Sequence, residues 1–151
     1  MTITRATLDD VETITAHRRA MFFDMGFHDE PLLDAMSAGF RSWLRARIPT
    51  GEYLGWFVVA EDGQVASGLG LWLMDWPPHF IGAGSRRGNI LNVYTRPESR
   101  RQGTARVLMD VALDWRRANR IASVILHASP DGKPLYESLG FQPTNEMRLL
   151  L

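Results

Sequence analysis

Residues 93–109, VYTRPESRRQGTARVLM, run from the end of a strand through Pro97 and Gly103 into an amphipathic helix. Asn89–Thr95 (NILNVYT) reads as the strand. Val107, Leu108, Val111, Ala112 and Trp115 share one face of a helix predicted over 101–119. Between the two, Arg100-x-x-Gly103-x-Ala105 falls at the helix start. There the unpaired backbone N–H groups and the positive end of the helix dipole attract an anion. Gly103 lets the backbone approach that anion with no Cβ in the way. Arg100, Arg101 and Arg106 add charge-assisted hydrogen bonds. The chemistry is that of a diphosphate cradle, built without the GxxxxGK[ST] of a P-loop or the GxGxxG of a dinucleotide fold.

Upstream, TITRA (2–6) reads as a first strand, and Thr7 with Asp10 forms a capping-box-like helix start. Leu8, Val11, Ile14, Met21, Phe22 and Met25 carry that helix to Gly26, and a second runs from Pro31 to about Arg47. Tyr53–Glu61 and Gln64–Asp75 flank Asp62-Gly63, a hairpin signal. Residues 76–88, with two prolines and three glycines, read as a loop. Downstream, ASVILHA (122–128) is a continuous apolar run expected to be a central strand. Asp131–Leu139 is a short helix closed by Gly140, and Phe141–Leu151 is expected to give one or two last strands. The order βααβββαβαβ predicts one α/β (α+β) domain over 1–151 with a mixed, mainly antiparallel sheet.

With those elements in place, 93–109 resembles the acyl-CoA-binding motif of the GNAT superfamily of N-acetyltransferases, R/Q-x-x-G-x-G/A after a strand. PLYESLGF (134–141) is similar to the same superfamily's Y-x-x-x-G-F signature, one helix and one strand later. The resemblance implies acetyl-CoA as co-substrate, with helices 8–48 on the acceptor side and 88–141 as the donor-binding core. It implies that backbone groups of Val93, Tyr94 and Thr95 pair with the pantetheine arm, one N–H polarising the thioester carbonyl. It implies that Arg100, Arg101, Gln102, Gly103, Thr104, Ala105 and Arg106 hold the pyrophosphate, and that Tyr136 protonates the departing thiolate. Two positions depart from the pattern. Ser129 stands where many members have an asparagine that contacts CoA, and the strand before the cradle carries Asn89 and Asn92 where many have a glutamate base. Asn92 is therefore a candidate for orienting a water or the acceptor.

Composition sets the limits around this reading. At 151 residues the chain can bury a full core without metal or disulfides, and with no cysteine it has neither a thiolate nucleophile nor a Cys-based zinc site. The four histidines (17, 28, 79, 127) lack metal-ligand spacing, so no metal is expected. No apolar run approaches the roughly 20 residues of a membrane span and no signal-peptide pattern appears, so a cytoplasmic protein without membrane partners is expected. Net charge is zero but uneven: residues 1–62 hold six arginines against ten acids, and 86–106 hold six arginines against Glu98. The acidic half hints at a cationic acceptor. The basic tract coincides with the cradle and lacks interleaved aromatics, which argues against nucleic acid.

Other side chains have ordinary readings beside functional ones. Asp29, Glu30, Asp75 and Glu146 are candidate bases and equally caps or surface carboxylates. His127 reads as structural, His79 as a loop histidine that could act as a base, and Arg86 and Arg87 as surface charge or contacts to the CoA 3′-phosphate or an acidic acceptor. Trp72, Trp76 and Phe80 are candidates for lining an acceptor pocket, and of Arg18 and Arg19 one is expected to turn toward the site. The expected activity is transfer of an acetyl group from acetyl-CoA to a primary amine, small molecule or peptide, in a ternary complex. The rival is a module of the same fold that binds acyl-CoA without turnover. A homodimer is the general expectation for such a chain.

Overall fold

The computed structural model describes residues 1–151. Five strands lie in sequence order: β1 (Thr2–Arg5), β2 (Tyr53–Val59), β3 (Val65–Asp75), β4 (Arg86–Thr95) and β5 (Val124–Leu126). The first four pair antiparallel, and β4 pairs parallel with β5. Helices α1 (Val11–Asp24) and α2 (Glu30–Arg47) cover one face. Helix α3 (Thr104–Ala118) covers the other, with α4 (Lys133–Ser138) beside it. The helix signals act as read: Thr7 and Asp10 close a reciprocal capping box before a 3-10 turn at Leu8–Asp10, and Pro31 sits in the first turn of α2. Gly26, Gly63 and Gly140 all take positive φ at the turns assigned to them.

Because side chains alternate across a strand, the sheet separates two cores. Leu54, Trp56, Val58, Leu71 and Ile90 meet Leu108, Met109, Ala112 and Leu113 of α3. Tyr53 and Phe57 meet Val11, Ile14, Phe40 and Leu44 of α1 and α2. The buried stripe of α3 is thus turned about one residue from the expected one, with Met109 and Leu113 inside and Val111 and Trp115 at its margin.

Three local expectations are corrected. Strand β4 starts at Arg86 rather than Asn89, because Arg86 and Arg87 pair with Asp75 and Met74. No strand follows α4: Met147, Leu149, Leu150 and Leu151 are exposed, and Pro143 offers no backbone donor to a ladder. The 122–128 run is consequently an edge strand of three residues rather than a central one. No helix is long and apolar enough to cross a membrane.

Candidate donor and acceptor site

The sheet opens where β5 leaves β4. Their pairing ends at Ile90↔Leu126, so from Leu91 to Thr95 strand β4 has β3 on one side and no strand on the other. Thr95 leads through Pro97–Ser99 into a turn in which Arg101 and Gly103 both adopt left-handed backbone, with φ of 62° and 78°. From Arg101 through Arg106, no backbone N–H donates to any group of the protein. Such a run at the start of a fifteen-residue helix is a ready anion cradle. No atom lies within 4 Å of where a Cβ on Gly103 would stand, so its backbone angle alone favours glycine there and the approach to it is open.

The arginine side chains are disposed differently from expectation. Arg100 donates to Asp24 Oδ2 at 2.5 Å and to Thr95 O at 3.1 Å, tying the end of α1 to the end of β4. Arg106 donates to Ser138 Oγ at 3.0 Å, and Gln102 to Glu98 O at 3.3 Å. Arg101 is left exposed with no partner in the protein. The cradle is therefore built mainly of backbone dipoles, with Arg101 as its free side-chain cation.

Tyr136, on α4, packs edge-on against Phe141 with centroids 6.1 Å apart, and a Cβ on Gly132 would come within 2.8 Å of its ring. Burial raises its pKa, so the phenol stays protonated and able to donate. Ser129 Oγ accepts from Gly132 N at 3.2 Å, shaping the turn into α4 and leaving its own proton to donate.

On the other face, the β3–β4 register slips by one residue between Gly68 and Gly70, and Asn92 takes a φ of 55°. This bulge reverses the alternation of β4. Leu91 packs toward α1 and α2, and Asn92, which would otherwise face α3, turns the same way. There Asn92 Nδ2 donates to Tyr53 Oη at 3.3 Å, and its Oδ1 accepts from Arg18 Nη1 at 2.8 Å. A Cβ on Gly70 would lie 2.2 Å from the Tyr53 hydroxyl, so only glycine lets that ring cross the strand. Burial pushes Tyr53 up to about 12, against the opposing effects of the Asn92 hydrogen bond and Arg18, and it stays neutral. Next to it His17 is nearly buried, 5.0 Å from the Tyr94 ring and edge-on to Phe57. Desolvation, then Arg96, lowers its pKa to about 4.

Tyr53, His17 and Arg18 thus join Asn92. The only sequence signal among them was the pair of arginines interrupting the apolar face of α1, and the structure selects Arg18. Arg19 instead bonds Glu30 and, at 2.8 Å, Asp34. Asp29 caps α2 through Leu32 N. Trp72 packs on Trp43, Trp76 lies under Arg87 at 3.4 Å, and Phe80 is exposed. His79, Arg86, Arg87 and Glu146 line a separate cavity of about 260 Å³ beside the first residues of β4. His127 sits 3.6 Å from Glu146 at the surface.

The model of the GNAT acetyltransferase family matches residues 12–141. No curated protein matches the chain in sequence. Among solved structures, a GCN5-related N-acetyltransferase from Ralstonia eutropha JMP134 is 37% identical, with a TM-score of 0.91 over 99% of this chain and 97% of that one. A predicted acetyltransferase with acetyl-CoA from Clostridium acetobutylicum has a TM-score of 0.90 at 24% identity, over 99% and 95%. An aminoglycoside 6′-N-acetyltransferase from Acinetobacter haemolyticus shares the fold, with a TM-score of 0.71 at 18% identity over 100% and 97%.

Proposed function

The chain belongs to the GNAT acetyltransferase family, and from that premise we propose that it transfers an acetyl group from acetyl-CoA to a primary amine by direct attack in a ternary complex. The observation that carries the donor assignment is the run of unpartnered N–H groups from Arg101 to Arg106, next to the free edge of β4. The resident groups suit a pyrophosphate at the helix start and an extended amide-bearing arm along Val93, Tyr94 and Thr95. Bound there, acetyl-CoA supplies a thioester as the activated acyl donor. Backbone N–H groups of the β4 edge polarise its carbonyl, and Asn92 holds the acceptor side of the bulge in place. Tyr136, kept protonated by burial, donates a proton to the leaving sulfur. Ser129 Oγ–H is available to the same arm. The acceptor must arrive as the neutral amine, its proton passing to water or to a group on the acceptor itself. His17 is nearly buried and its pKa is about 4, so it is a poor base at neutral pH.

Calorimetric titration with acetyl-CoA tests the donor site, using Gly103→Glu and Ala105→Glu with circular dichroism to confirm folding. Micromolar binding lost in both folded variants is expected. No binding by the folded wild type overturns the reading. An amine panel then separates an enzyme from a binder, and Tyr136→Phe should lower kcat by about 10²-fold while acetyl-CoA affinity is retained. Binding without consumption of acetyl-CoA by any amine establishes the non-catalytic alternative.

A further inference from the structure

Arg18 is a half-buried cation without a counterion. Its guanidinium lies 5.0 Å from the centre of the Phe22 ring and 4.6 Å from that of Phe40. Nη1 bonds the neutral amide of Asn92, while Nε is buried and meets no acceptor. No carboxylate lies within ion-pair reach of it. The titratable groups beside it in the cluster, Tyr53 and His17, are both held neutral by burial. A desolvated, uncompensated guanidinium is costly, and its planar fork matches a carboxylate in bidentate geometry. The acids nearby are already engaged. Glu12 pairs with Arg41 and Arg45, Asp24 with Arg100, Glu30 and Asp34 with Arg19, and Asp29 caps α2. The carboxylates of α1 and α2 are thus paired with other arginines, and none of them neutralises Arg18.

Resting on the acetyl-CoA reading above, we propose that the acceptor is an amino acid, whose carboxylate binds Arg18 while its amine reaches the donor edge of β4. Arg18 bonds Asn92, the residue immediately before the stretch assigned to the pantetheine arm. A carboxylate on Arg18 therefore sets a nearby amine close to the thioester carbonyl, and Phe22 and Phe40 exclude water from the charge pair.

The test measures acetyl-CoA consumption with the twenty L-amino acids, their methyl esters, and the polyamines putrescine and spermidine. Thermal shifts with the same compounds in the presence of CoA, and acetyl-CoA titration, run in parallel. At least one amino acid should be acetylated, its ester at least 100-fold less efficiently. Arg18→Gln should raise KM for that amino acid at least 100-fold, and Arg18→Lys should restore part of the loss. Acetyl-CoA affinity should be unchanged in both variants. Esters or polyamines used as well as the amino acids overturn the inference. So does acetyl-CoA bound while no amino acid is acetylated or stabilises the protein, an outcome that leaves the donor site standing. Absence of acetyl-CoA binding overturns the donor reading first and this inference with it.

Discussion

His17 illustrates how one side chain ties stability to pH. Its folded-state pKa of about 4 lies below the ordinary 6.5 because burial penalises the imidazolium. The unfolded chain therefore binds the proton first as pH falls. Its contribution is present above pH 6.5 and is lost between 6.5 and about 4, up to about 3 kcal/mol in all. Urea denaturation across that window should show stability rising with pH, with the slope reduced in His17→Gln. An equal slope in the variant would assign the effect elsewhere. At Gly70 the constraint is steric. Gly70→Ala sets a methyl against Tyr53 and should cost about 1–3 kcal/mol, read as a lower denaturation midpoint. Neither effect was visible in the sequence, where His17 is one of four histidines without pattern and Gly70 one glycine of thirteen. Both arise from neighbours brought together across the sheet.

Among the elements, strand β4 carries the most consequence, because its bulge turns Asn92 toward α1 and α2 and its last residues lack a strand on one side. The bulge makes separable demands at position 92: a left-handed backbone and a polar side chain. Asn92→Ala fails both and should cost about 1–3 kcal/mol. Asn92→Gly keeps the backbone, so its stability should recover in part while acetyl transfer stays impaired. If alanine and glycine behave alike in both assays, the backbone angle is not the constraint. The turn at the head of α3 was legible in advance, because Gly103 and the polar-to-apolar switch after it are local signals. The disposition of Arg100 and Arg106 was not, since Asp24 lies 76 residues from Arg100 and Ser138 lies 32 from Arg106. The expected last strand does not form: beyond Phe141, which packs on Tyr136, the apolar side chains Met147, Leu149, Leu150 and Leu151 stay exposed.

In the molecule as a whole, the sheet separates two cores that are packed independently. Ile14 belongs to the α1–α2 side and Ile90 to the α3 side, both nearly fully buried. Valine at either position should cost about 0.5–1.5 kcal/mol, and the double variant should equal the sum within about 0.5 kcal/mol by urea denaturation. A larger departure would mean that packing changes on one face of the sheet are felt on the other. The sequence by itself determined the elements from β1 to α4 in their order, the glycine turn at the head of α3, and the family resemblance, because caps, periodicity and glycine turns act over a few residues. The tertiary structure alone decided that Arg18 rather than Arg19 faces Asn92, and that Tyr53 and His17 join it. It also decided that the acids of the first two helices are spent on arginines. Those outcomes depend on a one-residue register slip and on which side chains are left without partners once the layers close, quantities that no local pattern encodes.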